Sequence, residues 1–184
     1  VLEMLDNYFD EIREELGKGA TQKGHPFRYF TLATVGMEML PRQRTVVLRR
    51  LDEDLKLTFY TDARSKKMMH LKENNRVGLM FFDPKKLLQI RIEGLARVIK
   101  DEDTLKKYWP GIQPKARKDY TTVAAPGTFL EHPDQLEYLD EENHFSMVTV
   151  EAFKMEYLKL KRPYHIRVRF SKRKNLWTSE YLVP

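Results

Sequence analysis

No cysteine occurs among the 184 residues, so no disulfide can brace the fold and no thiol is present to act as nucleophile or metal ligand. A reducing compartment suits such a chain, and a cytoplasmic protein is expected. Long apolar runs are also lacking: stretches such as Val77 to Phe82 fall far short of the roughly 20 apolar residues a spanning helix needs. A soluble chain with no membrane contact is expected. The first residue is Val1 rather than methionine, which leaves open a preceding segment, a removed targeting sequence included. The five histidines, His25, His70, His132, His144 and His165, have no paired ligand spacing, which argues against zinc. Neither common phosphate-binding glycine loop is found, nor a serine in a Gly-x-Ser-x-Gly turn, so nucleotide hydrolysis and serine-esterase chemistry drop away.

What is present suits one globular domain over residues 1–184, because 41% of the residues are hydrophobic and the length lies in the usual single-domain range. The 33 Lys and Arg against 27 Asp and Glu give a formal charge of +6, spread along the chain. Such a field favours anionic ligands without demanding nucleic acid.

Leu2, Leu5, Tyr8, Phe9, Ile12 and Leu16 recur at helical spacing, which predicts an amphipathic helix stopped by Gly17 and Gly19. From Arg28 the texture changes to short β-branched and aromatic runs at 29–35, 45–51, 55–61, 77–82 and 87–99, read as strands. A short helix is expected over 65–74 and another over 101–108, broken by Pro110, Gly111 and Pro114. Residues 121–143 read as a long surface excursion, after which strands return at 145–153, 155–160, 164–170 and 176–182. About eight strands with few helices and no βαβ alternation imply a mainly β fold, an antiparallel barrel or sandwich.

Three places concentrate polar chemistry. Arg64, Lys66 and Lys67 crowd the start of the 65–74 helix, where the helix dipole disfavours cations. The 101–108 helix obeys the dipole, with Asp101, Glu102 and Asp103 first and Lys106 and Lys107 last. Exposed N–H groups, the Ser65 hydroxyl and converging cations make a phosphate cradle; a solvated basic turn is the plainer alternative. In the second place, Gln89, Arg91 and Glu93 share one strand face while Leu88, Ile90 and Ile92 share the other. In the third, His165, Arg167 and Arg169 oppose Tyr164, Ile166, Val168 and Phe170, and three basic groups in a row require an anion or acid between them. The aromatics on the far face of that strand point into the core, not toward nucleic-acid bases.

Taken in order, Arg44-Thr45-Val46-Val47-Leu48-Arg49, Phe59-Tyr60-Thr61, Ser65-Lys66-Lys67 and Gln89-Ile90-Arg91-Ile92-Glu93-Gly94 resemble the FMN-binding half of the pyridoxamine 5′-phosphate oxidase family. The likeness extends back to Thr31-Leu32-Ala33-Thr34-Val35 and forward to Trp177 and Leu182-Val183-Pro184. It implies an FMN-binding split β-barrel and a homodimer with flavin sites at its interface. By the resemblance, Arg44 contacts the FMN phosphate or ribityl chain, the backbone of Thr45, Val46 and Val47 faces the isoalloxazine edge, and Tyr60 and Thr61 line the ribityl and phosphate region. Ser65, Lys66 and Lys67 hold the phosphate, and Gln89 and Arg169 come from the partner subunit.

The family's substrate positions are altered. They fall at Arg49, at Tyr108, and at His165 and Arg167 with the two residue types exchanged. The family's phosphate-binding arginine and serine fall near Ile112 and Ala116, where only Lys115 and Arg117 could substitute, and its flavin-side tryptophan at Leu158. The reading is therefore an FMN oxidoreductase with a changed substrate site, set against a flavin-storage module without turnover and a cofactor-free, nucleic-acid-binding barrel.

Overall fold

Eight strands, counted among the described residues, form one antiparallel sheet that closes on itself: β1 (Tyr29–Val35), β2 (Pro41–Leu51), β3 (Lys56–Asp62), β4 (Arg76–Asp83), β5 (Leu88–Ile99), β6 (Phe145–Lys159), β7 (Ile166–Arg173) and β8 (Leu176–Tyr181). The computed structural model describes residues 2–36, 38–174 and 176–184, the side chains of 2–4 excepted, so the core position expected for Leu2 lies outside the described side chains. Strand order is β3-β2-β1-β4-β5-β6-β7-β8, and β3 pairs again with β6. Six strands thus make a closed antiparallel barrel, and β7 and β8 carry the sheet onward from β6. Closure pairs the edge of β3 with β6 and leaves β8 as the outer edge of the sheet.

Period-two patterning fills the barrel. Leu88, Ile90 and Ile92 of β5 are buried while Arg91 is exposed, as the alternation predicts. Phe81 stacks on Phe30 with ring centroids 4.8 Å apart and lies 5.4 Å from Phe27. Helix α1 (Leu2–Thr21) closes over the barrel through Leu5, Ile12 and Leu16. Its polar side is tied down as well, because Glu11 accepts from the Tyr157 hydroxyl (2.7 Å) and pairs with Lys159 (2.9 Å). Buried Glu15 pairs with Lys86 at 2.6 Å. Burial alone would raise the Glu15 pKa, but Lys86 and Lys18 hold it below the usual carboxylate value.

Three sequence expectations need correction. The helix does not stop at Gly17 and Gly19 but runs to Thr21. Gly19 serves close packing instead: a Cβ there would meet the Phe27 carbonyl oxygen at 2.7 Å, whereas one at Gly17 would meet nothing within 4 Å. The runs at 145–153 and 155–160 are one strand, β6, and its register steps from Glu93↔Lys154 to Gly94↔Ala152. That β-bulge leaves Phe153 as the extra residue and absorbs the change of phase that looked like a break. Tyr164 is 79% exposed and precedes β7 rather than entering the core.

The two glycines give opposite expected outcomes. Gly19→Ala should cost about 1 to 3 kcal/mol through overpacking, and Gly17→Ala should gain roughly 0.5 to 1 kcal/mol of helix propensity. Urea midpoints of both variants check this, and equal shifts would contradict the close approach.

Candidate functional site

The barrel splits between β2 and β3. Among the described residues their ladder holds only Leu48↔Phe59, Arg50↔Thr58 and Leu51↔Leu57. Beyond Phe59, β3 follows β6 through Tyr60, Thr61 and Asp62, while β2 stays with β1 from Val47 back to Pro41. The β3-facing backbone of Thr45, Val46 and Val47 is thus without a ladder partner among the described residues. Helix α2 (Lys66–Glu73) follows β3 after the turn 63–65.

The helix start leaves its positive end open. Ser65 occupies the N-cap position, but its side chain makes no capping bond and no acid stands in the first turn. The first N–H groups therefore keep their positive end uncompensated. The Ser65 hydroxyl instead joins a cluster in which Lys67 Nζ donates to Thr61 Oγ1 (2.9 Å) and Ser65 Oγ (3.1 Å). Burial, with Arg44 nearby, lowers the Lys67 pKa. Arg44, half-buried in the wall, donates to Thr34 Oγ1 (2.7 Å) and the Leu32 carbonyl (3.2 Å). Thr34 Oγ1 lies 3.0 Å from His70 Nδ1. Burial and then Arg44 lower the His70 pKa, which favours the neutral ring beside Thr34. Neither Arg44 nor Lys67 has a carboxylate within ion-pair distance among the described residues.

A family model described as the FMN-binding domain of pyridoxamine 5′-phosphate oxidase matches residues 8–100, a stretch that contains this whole group and just over half the chain. The chain belongs to this family. A pyridoxine/pyridoxamine 5′-phosphate oxidase of Cupriavidus metallidurans is 38% identical over 74 residues, which is 40% of this chain and 34% of that protein. One from Haemophilus influenzae is 28% identical over 168 residues, 83% of this chain and 78% of that protein. Several curated relatives are thus matched over only about a third of their length, 34% in the first case. The crystal structure of a pyridoxamine 5′-phosphate oxidase-related, FMN binding protein from Nostoc punctiforme superposes with a TM-score of 0.76 at 22% identity, covering 96% of this chain and 97% of that one. It shares the split-barrel fold.

FMN is the cofactor of this domain family, and the residues present fit it. A phosphate dianion would neutralise Lys67 and Arg44, which are partly desolvated and lack acids, and would meet the uncapped N–H groups of α2. Among the residues expected at the phosphate, the structure brings Arg44, Thr61, Ser65 and Lys67 together. Lys66 is exposed. Arg64 departs from the expected convergence: it forks onto Asp62 (2.8 Å) and donates to the carbonyls of Thr122 (2.8 Å) and Val123 (2.9 Å). It anchors the 121–143 excursion, and an Asp two residues away was the sequence signal for that role.

The other expected site residues lie elsewhere. Arg49 sits with its guanidinium 5.4 Å above the Tyr60 ring, beside a cavity of about 700 Å³ that Tyr60, Ile112 and Ala116 also line. Tyr108 does not line it; its ring lies 4.7 Å beneath the Arg50 guanidinium. Burial raises the pKa of Tyr60, keeping a neutral hydroxyl at the cavity. On the outer face of β5, β6 and β7, Glu156 takes Arg167 (2.8 Å) and Arg91 (3.4 Å), while Glu180 takes Arg169 (2.8 Å). The acid required between those basic residues is thus supplied by the chain itself. His165 is exposed and accepts from the Lys161 backbone N–H at 3.2 Å. Thr34, His70, Lys23 and Arg28 were not singled out by sequence, because Thr34 and His70 are 36 residues apart and the other two stand in an unpatterned turn.

Proposed function

We propose that this protein is an FMN-dependent oxidoreductase acting as a homodimer, with each flavin site completed by the second subunit. The observation that carries this reading is the pair Lys67 and Arg44, partly buried cations with no carboxylate at ion-pair distance among the described residues, set beside the split between β2 and β3. The bound flavin supplies the redox chemistry. The chain's own part is to hold the phosphate at Lys67, Ser65, Thr61 and Arg44. Thr45, Val46 and Val47 offer unpaired backbone to the ring edge, and buried strands exclude water on the inner side.

Support for a second subunit comes from register. Arg44 pairs with Leu32, Leu32 with Leu79 and Leu79 with Ile92, so Gln89 lies three strands away, roughly 14 Å across the sheet at about 4.8 Å per strand. Its side chain also shares the outer face with Arg91, so Gln89 of the same chain does not reach the cradle. Arg169 lies two strands farther on. Around Gln89 the outer face exposes large apolar groups, Tyr29 at 59%, Met80 at 42% and Phe82 at 48%, which a two-fold partner would cover.

Substrate selection differs from that of the pyridoxamine 5′-phosphate oxidases. Where the family resemblance puts a phosphate-binding arginine and serine, apolar Ile112 and Ala116 line the cavity. Pyridoxamine 5′-phosphate is expected to be a poor substrate, with turnover well below the usual enzymatic range of about 1 to 10³ per second. Purified protein should be yellow, release FMN on denaturation, sediment as a dimer and be reduced by a nicotinamide or other small donor. A flavin-loaded monomer would overturn the shared site; flavin inert to every donor would point to storage.

A further inference from the structure

We propose that the cavity beside Arg49 binds a small organic acid with a flat apolar body, and that Arg28 and Lys23, from the connection between α1 and β1, hold its acidic group together with Arg49. The idea rests on the flavoprotein reading for what such an acid would react with, but not for its binding.

Every cation at the cavity is unneutralised. Its lining includes Lys23, Arg28 and Arg49 and no Asp or Glu. Among the described residues none of the three has a carboxylate within ion-pair distance. Arg49 Nε is buried without any hydrogen-bond partner. A buried donor left unpaired is costly, and a guanidinium that lines a cavity without a carboxylate partner suits a planar anion.

Placement explains how Arg28 reaches the same space. It ends the turn Pro26–Arg28, directly before Tyr29, and Tyr29 pairs with Val47, two residues before Arg49 on β2. Phe27, fully buried, fixes that turn in the core. Gly24, with φ +84, bends the chain so that Lys23 also lines the cavity. Tyr60, beneath the Arg49 guanidinium, and Ile112 and Ala116 give the lining apolar and aromatic surface among its polar groups, Thr21 and Gln113, which accommodates a ring. Positive charge absent at 112 and 116 is thus provided from another part of the chain, which moves the acidic end of a ligand toward α1.

Calorimetric titration of the protein as purified, with 2-naphthoate, 2-naphthyl phosphate and the neutral 2-naphthamide, tests this. Both anions should bind at least about tenfold more tightly than the amide, the worth of one charge-assisted hydrogen bond. The tighter anion identifies the acid as carboxylate or phosphate. Arg28→Gln and Arg49→Gln should each remove that preference, and Lys23→Gln should weaken it by a smaller factor, because Lys23 is exposed. Circular dichroism and released-flavin content establish that the variants fold. Equal binding of anion and amide, or an undiminished preference in both arginine variants, overturns the proposal. Protein that purifies without flavin yet binds naphthoate through Arg28 sinks the flavin reading and leaves this one standing. Flavin-loaded protein indifferent to ligand charge does the reverse.

Discussion

Replacing Lys67 by alanine weakens FMN binding about ten- to a hundredfold and leaves riboflavin, which has no phosphate, nearly unaffected. The magnitude is that of one charge-assisted hydrogen bond to a dianion, about 1.5 to 3 kcal/mol at about 1.4 kcal/mol per decade. Lys66→Ala has a smaller effect, no more than about fivefold, because Lys66 is exposed and an exposed ion pair is worth up to about 1 kcal/mol. The sequence alone gave no reason to separate the two lysines. The structure does, since only Lys67 turns inward to Thr61 and Ser65.

The same change acts oppositely on the flavin-free protein. Burial and then Arg44 lower the Lys67 pKa in the folded chain. A folded pKa below the unfolded one means that the charged lysine opposes folding. That cost is fully present below the folded pKa and is relieved as pH rises through it toward the unfolded value. Flavin-free wild type should therefore gain stability relative to Lys67→Ala as pH rises from neutral toward 10, while FMN affinity of the wild type falls over the same window. Thermal melts and FMN titrations across that range check both. Parallel curves for wild type and variant would remove Lys67 from the phosphate site.

Much of the barrel was legible because period-two burial is a strong local signal: Leu88, Ile90 and Ile92 against Gln89, Arg91 and Glu93 could hardly be read otherwise. What the sequence misplaced was set by tertiary contacts. Gly19 reads as a helix stop until Phe27 is seen against it, and 145–153 and 155–160 read as two strands until Gly94 of β5 is paired with Ala152. Of the site, the basic helix start and the β2 motif were visible, since both are contiguous. The split between β2 and β3 was not, because it depends on β3 keeping its pairing with β6 to Asp62 while its ladder with β2 ends at Phe59. Nor was the relay from Arg44 through Thr34 to His70, which joins three elements. Arg64 shows the limit of counting charges along a chain: an adjacent cation is no ligand when Asp62 and two carbonyls already occupy it.

Phe81→Ala should destabilise the protein by about 3 to 5 kcal/mol, as removal of a buried aromatic ring usually does. Phe81 is fully buried and stacks on Phe30 of β1 at 4.8 Å. Its second neighbour is Phe27 at 5.4 Å, the residue that fixes the turn carrying Arg28. At about 2 to 4 °C per kcal/mol for a chain of this size, the melting temperature should fall by roughly 6 to 20 °C. Phe81→Leu, which keeps most of the volume, should cost less than about 1.5 kcal/mol. The phosphate group is spared in both, because Lys67, Thr61 and Ser65 contact each other and not Phe81. FMN at a hundred times its dissociation constant should therefore return about 2.7 kcal/mol to either variant, as it would to wild type. A melting temperature for Phe81→Ala that FMN does not raise would mean that the flavin cradle and the aromatic core are one cooperative unit rather than neighbours.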